Sequence, residues 1–308
     1  MTPRQIKALA QAGAFFLALP AAAEGLAWPV DCTLGQTCFI QHHVDRDPGP
    51  GVQDFGCGTL SYDGHDGTDI ALATRADMAR GVAVLAASPG VVVGVRDGIP
   101  DAAAFPEGQD CGNGVLIRDG AREVQYCHLR RGSVAVKAGD AISTGMQLGL
   151  IGQSGNADFP HLHMTLREGG QTVDPFSTAQ TCGAAEGLWQ DPPPYHPGGL
   201  VQIGISGAIP DYDLVKAGKA APPDRAAIAL VLWAEVFGAR PGDVIRFDLQ
   251  GPDGDIFQGE TTLERPQARA FRAEGRKRQV LPGTYHGTVT LIRDGARLDQ
   301  RQVVTEVP

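Results

Sequence analysis

Apolar positions in this chain come in short runs separated by turn residues, rather than in long helical stripes. Residues 82–86 and 91–95 are β-branched runs joined across Ser-Pro-Gly at 88–90, a pattern that predicts a hairpin. Residues 161–166 alternate in polarity, as expected of a half-buried strand. Helical periodicity is confined to residues 74–80. The pattern therefore predicts an all-β fold built from antiparallel strands.

A second hairpin is predicted from residues 115–117 and 123–128. The turn between them contains Arg118-Asp119-Gly120, and a three-residue loop would pair Ile117 with Ala121. In that register Cys111 falls opposite Cys127.

A proline-rich stretch at residues 191–199 is the natural linker between two domains. We predict a first domain over residues 24–190 and a second over residues 200–308. The size and spacing of the runs in the second domain predict a small immunoglobulin-like β-sandwich. Those alternating apolar runs are 200–205, 227–236, 244–249, 284–292 and 298–307.

The N-terminus has the pattern of a secretory signal peptide over residues 1–23. Arg4 and Lys7 precede an apolar stretch at 8–19, and Pro20 and three alanines follow it. A membrane-spanning helix needs about 20 apolar residues, which this stretch does not reach. We therefore expect an exported protein, periplasmic or secreted, with no membrane span after cleavage.

Charge is distributed unevenly between the two predicted domains. The formal net charge is −9, which argues against nucleic acid as a partner. Residues 24–195 contain 10 basic and 21 acidic residues, whereas the rest of the chain from His196 is neutral. The acidic balance favours solubility and attraction of cations. The second domain has one basic cluster, which we interpret as a solvated loop rather than as a contact surface for an anionic polymer: Arg265, Arg269, Arg272, Arg276, Lys277 and Arg278.

Six cysteines in an exported protein predict disulfides. Cys32 and Cys38 are close enough in sequence to close a small loop. If Cys111 pairs with Cys127 as above, the remaining pair is Cys57 with Cys182. Six cysteines allow fifteen connectivities, so the other pairings stay open at this point.

Histidines occur in three frames that could bind a metal. His65 lies four residues before Asp69 in a loop that enters a strand, and imidazole with carboxylate suits zinc. Alternation along a strand places His161 and His163 on one face, with Leu162 towards the core. In the third frame, Gln-Tyr-Cys-His-Leu at 125–129, alternation places tyrosine and histidine on one face and Cys127 in the core.

Together these frames resemble the signature of the lysostaphin/LytM family of zinc metallopeptidases. The signature consists of His65-x-x-x-Asp69, Tyr126-x-His128-Leu129 and Pro160-His161-x-His163. The flanking segments 112–115, 136–140, 149–155 and 173–175 agree with it. The resemblance covers roughly residues 60–178, which would be the core of a LytM-like peptidase domain.

The resemblance implies a site and a reaction. His65, Asp69 and His163 would bind one Zn²⁺ per chain, with water in the open fourth position, and His128 and His161 would be the catalytic histidines. The implied function is a zinc metalloendopeptidase that cuts stem or cross-link peptides of peptidoglycan. The alternative is a non-catalytic LytM-like regulator of other cell-wall hydrolases. A cell-envelope protein is a candidate partner for the second domain.

Three features depart from the family pattern, and the first is that Asp66 stands between His65 and Asp69. Residues 41–58, with His42, His43 and Asp54, form an unassigned insertion ahead of the first ligand. It either covers the metal, as an N-terminal segment does in some relatives, or carries histidines at the surface. Phe159 stands where a small residue is common in the family. It either narrows the cleft or stacks on a substrate peptide, or it only packs against neighbouring side chains.

Overall fold

The computed structural model describes residues 25–179, 181–184 and 186–308, so the predicted leader at 1–23 lies outside the described residues. The elements are antiparallel strands with two short helices, α1 (Arg75–Arg80) and α2 (Tyr212–Ala217). This confirms the all-β prediction and the short helix near residue 74. In the part of the chain described here, neither helix has the length and apolar character required to cross a bilayer.

The first domain is built on one large antiparallel sheet. Its strand order is β1-β2-β9-β6-β5-β4-β7, with β10 paired to β9, and β3 and β8 form a separate pair. The strands are β1 (Phe39–His42), β2 (Thr68–Ala71), β3 (Ala83–Leu85), β4 (Gly90–Arg96), β5 (Asn113–Asp119), β6 (Arg122–Leu129), β7 (Ala141–Ile142), β8 (Gln147–Leu150), β9 (His161–Glu168) and β10 (Gln171–Val173).

The two faces of the large sheet have different roles. On β9, Leu162, Met164 and Leu166 are fully buried in the apolar core. Because side chains alternate along a strand, His161 and His163 lie on the opposite face. The sequence prediction for this strand is therefore confirmed, and the face away from the core is free to carry polar chemistry.

The hairpin predicted from residues 82–86 and 91–95 is wrong. Both runs form strands, but β3 pairs with β8, and β4 pairs with β5 and β7. The segment between them crosses from one sheet to the other. Ala86 and Ala87 are completely buried, and the backbone N–H of Ala87 donates to the Tyr126 hydroxyl at 2.8 Å. Burial of this segment overrides the local turn signal.

The β5–β6 hairpin is confirmed, but its predicted register is wrong. Ile117 pairs with Val124 and Asp119 with Arg122, so the loop has two residues instead of three. Gly120, at the first loop position, has a φ of +58°, which suits the tight turn types that match strand twist.

All three predicted disulfides are present: Cys32–Cys38, Cys57–Cys182 and Cys111–Cys127. The last pairing does not arise from the register argued in the sequence analysis, because Cys111 lies in the loop before β5. The described residues contain no free cysteine.

The second domain is a sandwich of a three-stranded sheet, β11-β12-β15, and a four-stranded sheet, β14-β13-β16-β17. Buried residues from both sheets form one apolar core. Its immunoglobulin-like class stays a prediction, and we propose the linker at 191–199 as the boundary. The strands are β11 (Gly199–Ser206), β12 (Ala229–Ala239), β13 (Val244–Gly251), β14 (Gly254–Thr262), β15 (Gln267–Lys277), β16 (Gly283–Arg293) and β17 (Ala296–Val307).

The interpretation of the basic cluster as a solvated loop is wrong. Most of these residues lie on β15, which pairs with β12 along its length. Arg276 is exposed, whereas Arg269 is largely buried where β15 meets the first domain. Because basic residues alternate with small ones in this segment, its sequence does not show the apolar alternation of a strand. The two faces of β15 have different surroundings.

The two domains share an apolar contact. Phe39, Leu60 and Ala71 of the first domain form one buried cluster with Val201 and Phe237 of the second. The rings of Phe39 and Phe237 have centroids 4.7 Å apart. The strands that carry the candidate site therefore pack directly against the second domain.

Candidate active site

Two neighbouring strands bring the three predicted ligands together. Asp69 lies on β2 directly opposite His163 on β9, and His65 is in the loop that leads into β2. Antiparallel pairing places the side chains of Asp69 and His163 on the same face of the sheet. His65 and Asp69 are nearly inaccessible to solvent, and the His163 side chain is 13% exposed.

The three ligand atoms form a compact triangle. His65 Nε2 is 3.2 Å from Asp69 Oδ1 and 3.2 Å from His163 Nδ1, and His163 Nδ1 is 2.9 Å from Asp69 Oδ1. In tetrahedral zinc sites with bonds of 2.0–2.1 Å, ligand atoms are about 3.3 Å apart. The donor types and their spacing therefore fit a zinc ion.

Hydrogen bonds on the far side of His65 and Asp69 orient both groups. The Nδ1–H of His65 donates to the carbonyl oxygen of His43 at 2.7 Å, so the lone pair of Nε2 is free to bind a metal. Asp69 Oδ2 accepts from His42 Nδ1 at 2.9 Å, which leaves Oδ1 towards the triangle. Such outer contacts are typical of metal ligands.

His163 is oriented in the same way. Its Nε2 lies 3.0 Å from Thr165 Oγ1 and 3.2 Å from Asp66 Oδ1, and Arg167 Nη2 donates to the other Asp66 oxygen at 3.0 Å. Nδ1 is therefore the nitrogen available to a metal. Gly67 makes room for the ring, because a Cβ at position 67 would lie 2.5 Å from His163 Nε2.

The electrostatics of the triangle favour a cation. Burial opposes ionisation of Asp69, but His161 and His65 hold its pKa well below the usual value. Burial disfavours the charged form of His163, yet hydrogen bonds to Asp66 and Asp69 raise its pKa to about 9. Without a metal, the site therefore holds a proton that a divalent ion would replace.

The two predicted catalytic histidines lie beside the triangle. His128 Nδ1 donates to the Ser154 carbonyl and His161 Nδ1 to the Phe159 carbonyl, both at 2.8 Å. Each ring therefore keeps Nε2 free. The His161 Nε2 lies 3.6 Å from Asp69 Oδ1, and the centroids of the two rings are 4.5 Å apart.

Both of these histidines are neutral near pH 7. Burial and the neighbouring His161 and His163 lower the pKa of His128 to about 3. Burial lowers the pKa of His161 to about 4, although Asp69 acts in the opposite direction. A neutral imidazole with a free Nε2 can accept a proton from a reacting water.

The predicted faces of the third frame are wrong. Tyr126 is fully buried in the core, whereas Cys127 pairs in register with His163 and lines the open side of the sheet. His128 reaches the site because its backbone has a φ of +62°, in the left-handed region, which interrupts strand alternation. Such conformations in residues other than glycine are concentrated at functional sites.

A polar groove of about 260 Å³ runs past the ligand triangle. None of the described residues from 25 to 58 lines it, so the insertion does not fill this groove. Tyr62 lies at its side with its ring centroid 4.5 Å from that of His65, and burial together with Asp69 and Asp66 raises its pKa to about 12. The groove is lined by Tyr62, Asp66, Asp110, Cys111, Gln125, Cys127, His128, Asn156, His163, Thr165 and Arg167.

The insertion histidines are buried, so the expectation of surface residues is wrong. His42 is 8% and His43 1% exposed, and the His43 ring packs against Phe176 with centroids 4.6 Å apart. Asp54 is also buried and accepts from the Tyr195 hydroxyl at 2.8 Å. The available sequence signal was the pair of histidines ahead of the first ligand, but sequence alone does not show where such a loop folds back.

With this geometry established, comparison with known proteins gives a consistent result. Residues 63–175 match the model of peptidase family M23, and this span contains all five predicted site residues. The match is confined to the first domain and covers a little over a third of the chain. The resemblance to lysostaphin/LytM-type peptidases is thereby confirmed, and members of this family are zinc-dependent.

Individual relatives match part of the chain rather than all of it. An uncharacterised metalloprotease of Haemophilus influenzae is 31% identical over 97 residues, which are 32% of this chain and 20% of the relative. The chain thus spans about a fifth of the length of that curated relative.

Two solved structures are also similar to part of the chain. One is a variant of the catalytic domain of the prophage-encoded M23 protein EnpA from Enterococcus faecalis, with 26% identity, a TM-score of 0.33, and coverage of 46% of this chain and 92% of that one. The other is a zinc-containing peptidase from Vibrio cholerae, with 24% identity, a TM-score of 0.29, and coverage of 44% and 39%.

Proposed function

We propose that this protein is a zinc-dependent metalloendopeptidase that hydrolyses peptide bonds in the stem or cross-link peptides of peptidoglycan. The observation that carries the proposal is the triangle of His65, Asp69 and His163 donor atoms, flanked by two imidazoles with free Nε2 atoms. Three disulfides are typical of an oxidising compartment and support a periplasmic or secreted location.

His65 Nε2, Asp69 Oδ1 and His163 Nδ1 would hold the metal. Two neutral donors and one carboxylate leave net positive charge on the site when Zn²⁺ binds. When bound, the ion supplies a Lewis acid that polarises a carbonyl and lowers the pKa of water. The hydrogen bonds to the far sides of the ligands keep the three donors in place before the ion arrives.

His128 and His161 supply the proton transfers in this proposal. None of the described residues that line the groove is a glutamate, and we assign the role of base to an imidazole. One of the two takes a proton from the attacking water at Nε2. The other would donate a hydrogen bond to the oxygen that develops negative charge once its own Nε2 carries a proton. Both are neutral at the start of the reaction, which suits the first role at neutral pH.

A peptide substrate would lie in the groove, across the same face of the sheet. Its lining is polar, with carboxylate, amide and hydroxyl groups that can hydrogen-bond a peptide backbone. The Tyr62 hydroxyl keeps its proton at neutral pH and can donate to a substrate carbonyl. Extended peptides with small side chains, as in wall stems and cross-bridges, suit such a groove.

The test is hydrolysis of purified peptidoglycan. We expect the full chain with stoichiometric zinc to release soluble muropeptides, and mass spectrometry of the products would identify the bond that is cut. His163→Ala should lose both zinc and activity, whereas His128→Ala should keep zinc and lose most turnover. His286→Ala, which removes an exposed histidine of the second domain, is the matched control.

The alternative is a non-catalytic regulator of other cell-wall hydrolases. It predicts normal zinc content with no muropeptide release from any peptidoglycan. Stimulation of a wall amidase by this chain, unchanged in His128→Ala, would then favour the regulator and overturn the proposed activity.

A further inference from the structure

The second domain contacts the rear of the candidate active site through the start of β15. The Gln41 side chain donates to the Ala268 carbonyl at 2.8 Å and accepts from Arg269 Nε at 3.1 Å. Gln41 is fully buried and immediately precedes His42, whose Nδ1 bonds Asp69. Contacts from the second domain therefore fix the strand that supports a candidate ligand.

Arg269 is a buried cation that is paired with a buried carboxylate. Its side chain is 11% exposed and lies 3.4 Å from the fully buried carboxylate of Glu235. That carboxylate also accepts from Tyr212 at 2.7 Å and from Gln202 at 2.8 Å. Since buried charges are retained only when they are paired and hydrogen-bonded, this arrangement holds the guanidinium in one position.

Arg269 contacts the aromatic ring that packs on His161. The guanidinium carbon lies 4.5 Å from the centroid of the Phe159 ring and 5.1 Å from that of Phe39, both within the range of cation–π attraction. Phe159 in turn packs on His161, with ring centroids 4.5 Å apart and planes at 33°. The Phe159 carbonyl also accepts the Nδ1–H of His161.

A continuous chain of contacts thus leads from Glu235 through Arg269 and Phe159 to His161. We propose that Arg269 is a positioning residue for the active site, so that the second domain is part of the catalytic unit. The inference rests on the proposed function in assigning a catalytic role to His161. Arg269 itself does not line the groove, so it acts on the site through the side chains that it contacts, and we assign its effect to Phe159.

The first test is the kinetics of Arg269→Met in the full chain. Without the guanidinium the Phe159 ring loses its cation, and the His161 ring loses its fixed support. We expect kcat to fall about 10- to 100-fold while KM stays within about twofold, because the groove is unchanged. Arg269→Lys keeps the charge opposite Glu235 and should recover part of kcat.

Arg276→Met is the matched control, because Arg276 lies on the same strand but is exposed. It should leave kcat unchanged. If Arg269→Met is poorly folded because Glu235 is left unpaired, the double variant Arg269→Met with Glu235→Gln is used in place of the single variant, because it removes both charges together.

A double-mutant cycle tests the route of the coupling. Phe159→Leu should reproduce the kcat loss of Arg269→Met, and the double variant should be little worse than either single variant. Fully additive losses would mean that Arg269 does not act through Phe159 and would overturn the inference.

A second readout does not depend on activity. In ¹⁵N-histidine NMR spectra, the ring signals of His161, assigned with His161→Gln, should shift in Arg269→Met and not in Arg276→Met. Unmoved His161 signals, or a kcat within about twofold of wild type, would overturn the inference. If the wild-type chain hydrolyses no peptidoglycan, the proposed function fails, and the NMR result alone decides whether Arg269 positions His161.

Discussion

At the scale of single residues, His42 is the most informative side chain outside the ligand set. It lies opposite Asp69 in the β1–β2 pairing, and its Nδ1–H holds the carboxylate oxygen that faces away from the triangle. Its ring also contacts Tyr62 edge-on, with centroids 5.3 Å apart. One residue thus connects the candidate ligand to the side of the groove.

We predict that His42→Phe weakens zinc binding without unfolding the protein. The phenyl ring keeps the packing but lacks the donor that orients Asp69, and the loss of such an outer contact typically weakens metal affinity about 10- to 100-fold. Competition with a chromophoric chelator measures the zinc Kd. His42→Asn, whose amide nitrogen can take the place of Nδ1, should retain most of the affinity. Equal Kd values for wild type and His42→Phe would contradict the role of His42.

Sequence identified the ligand candidates but not their supports. The sequence predicts His65, Asp69 and His163 because their spacing resembles a known signature, and the structure brings them together. His42 supports Asp69 across a strand pairing that no local pattern predicts. Strand alternation predicts the wrong face for His128, because the backbone at this residue is left-handed. Backbone conformation at a functional residue is set by tertiary contacts, here the bonds of His128 to Cys111 and Ser154.

At the scale of elements, the Cys111–Cys127 disulfide ties the loop before β5 to the end of β6. His128 follows Cys127 directly, and its backbone N–H donates to the Cys111 carbonyl at 2.8 Å. Both sulfurs belong to residues that line the groove. This crosslink therefore stabilises the fold and holds the segment that presents His128.

We predict that replacing both Cys111 and Cys127 by serine lowers stability and turnover together. For a bond that spans 16 residues, the chain-entropy model gives about 3 kcal/mol of lost unfolding free energy, measurable by guanidinium denaturation. Serine at Cys32 and Cys38, which are six residues apart, should cost about 2 kcal/mol and leave turnover unchanged. Full turnover per folded molecule in the first variant would show that the crosslink does not hold His128.

Sequence predicted which segments form strands better than it predicted how they pair. Residues 82–86 and 91–95 do form β3 and β4, but each pairs with a strand distant in sequence, because Ala86 and Ala87 are drawn into the core. The sequence pattern does not predict β15, because its arginines obscure the apolar alternation of a strand. Pairing depends on which surfaces are buried across the whole domain, and a single run of residues does not contain that information.

At the scale of the whole molecule, the contact between the domains changes how the second domain is understood. The apolar cluster of Phe39 and Phe237 and the bonds of Arg269 join the two domains next to the site. The linker at 191–199 and the change in charge balance predict two units, and composition indicates nothing about how they pack. The contact includes Arg269, a buried member of the basic cluster for which the sequence predicts a solvated loop.

Asp174, in the segment that follows β10, makes stability depend on pH. It is 7% exposed, and its Oδ1 accepts from the Phe176 backbone N–H at 2.9 Å. Its Oδ2 is buried with no hydrogen-bond partner among the described residues. Burial raises the pKa of Asp174 to about 6, although the Phe176 N–H acts in the opposite direction.

We predict that the contribution of Asp174 to the unfolding free energy of the metal-free chain falls as pH rises from about 4 to about 6, whereas the lowered pKa values of His128 and His161 act in the opposite direction. In this window the folded state keeps a proton on Asp174 that the unfolded chain, with an Asp pKa near 3.9, has released. The stabilisation present below about pH 4 is therefore lost by about pH 6, and a shift of two pKa units corresponds to about 3 kcal/mol. Chelator-treated protein removes the separate effect of metal release.

Asp174→Asn should remove this contribution, because the amide keeps the Oδ1 acceptor and does not titrate. Its unfolding free energy should exceed that of wild type above pH 6 and approach it near pH 4. Asp119→Asn, at an exposed position in the β5–β6 hairpin, is the matched control and should follow the wild-type curve. Guanidinium denaturation at a series of pH values measures all three. Parallel curves for wild type and Asp174→Asn would mean that Asp174 is ionised in the folded protein, stabilised by a group other than those named here.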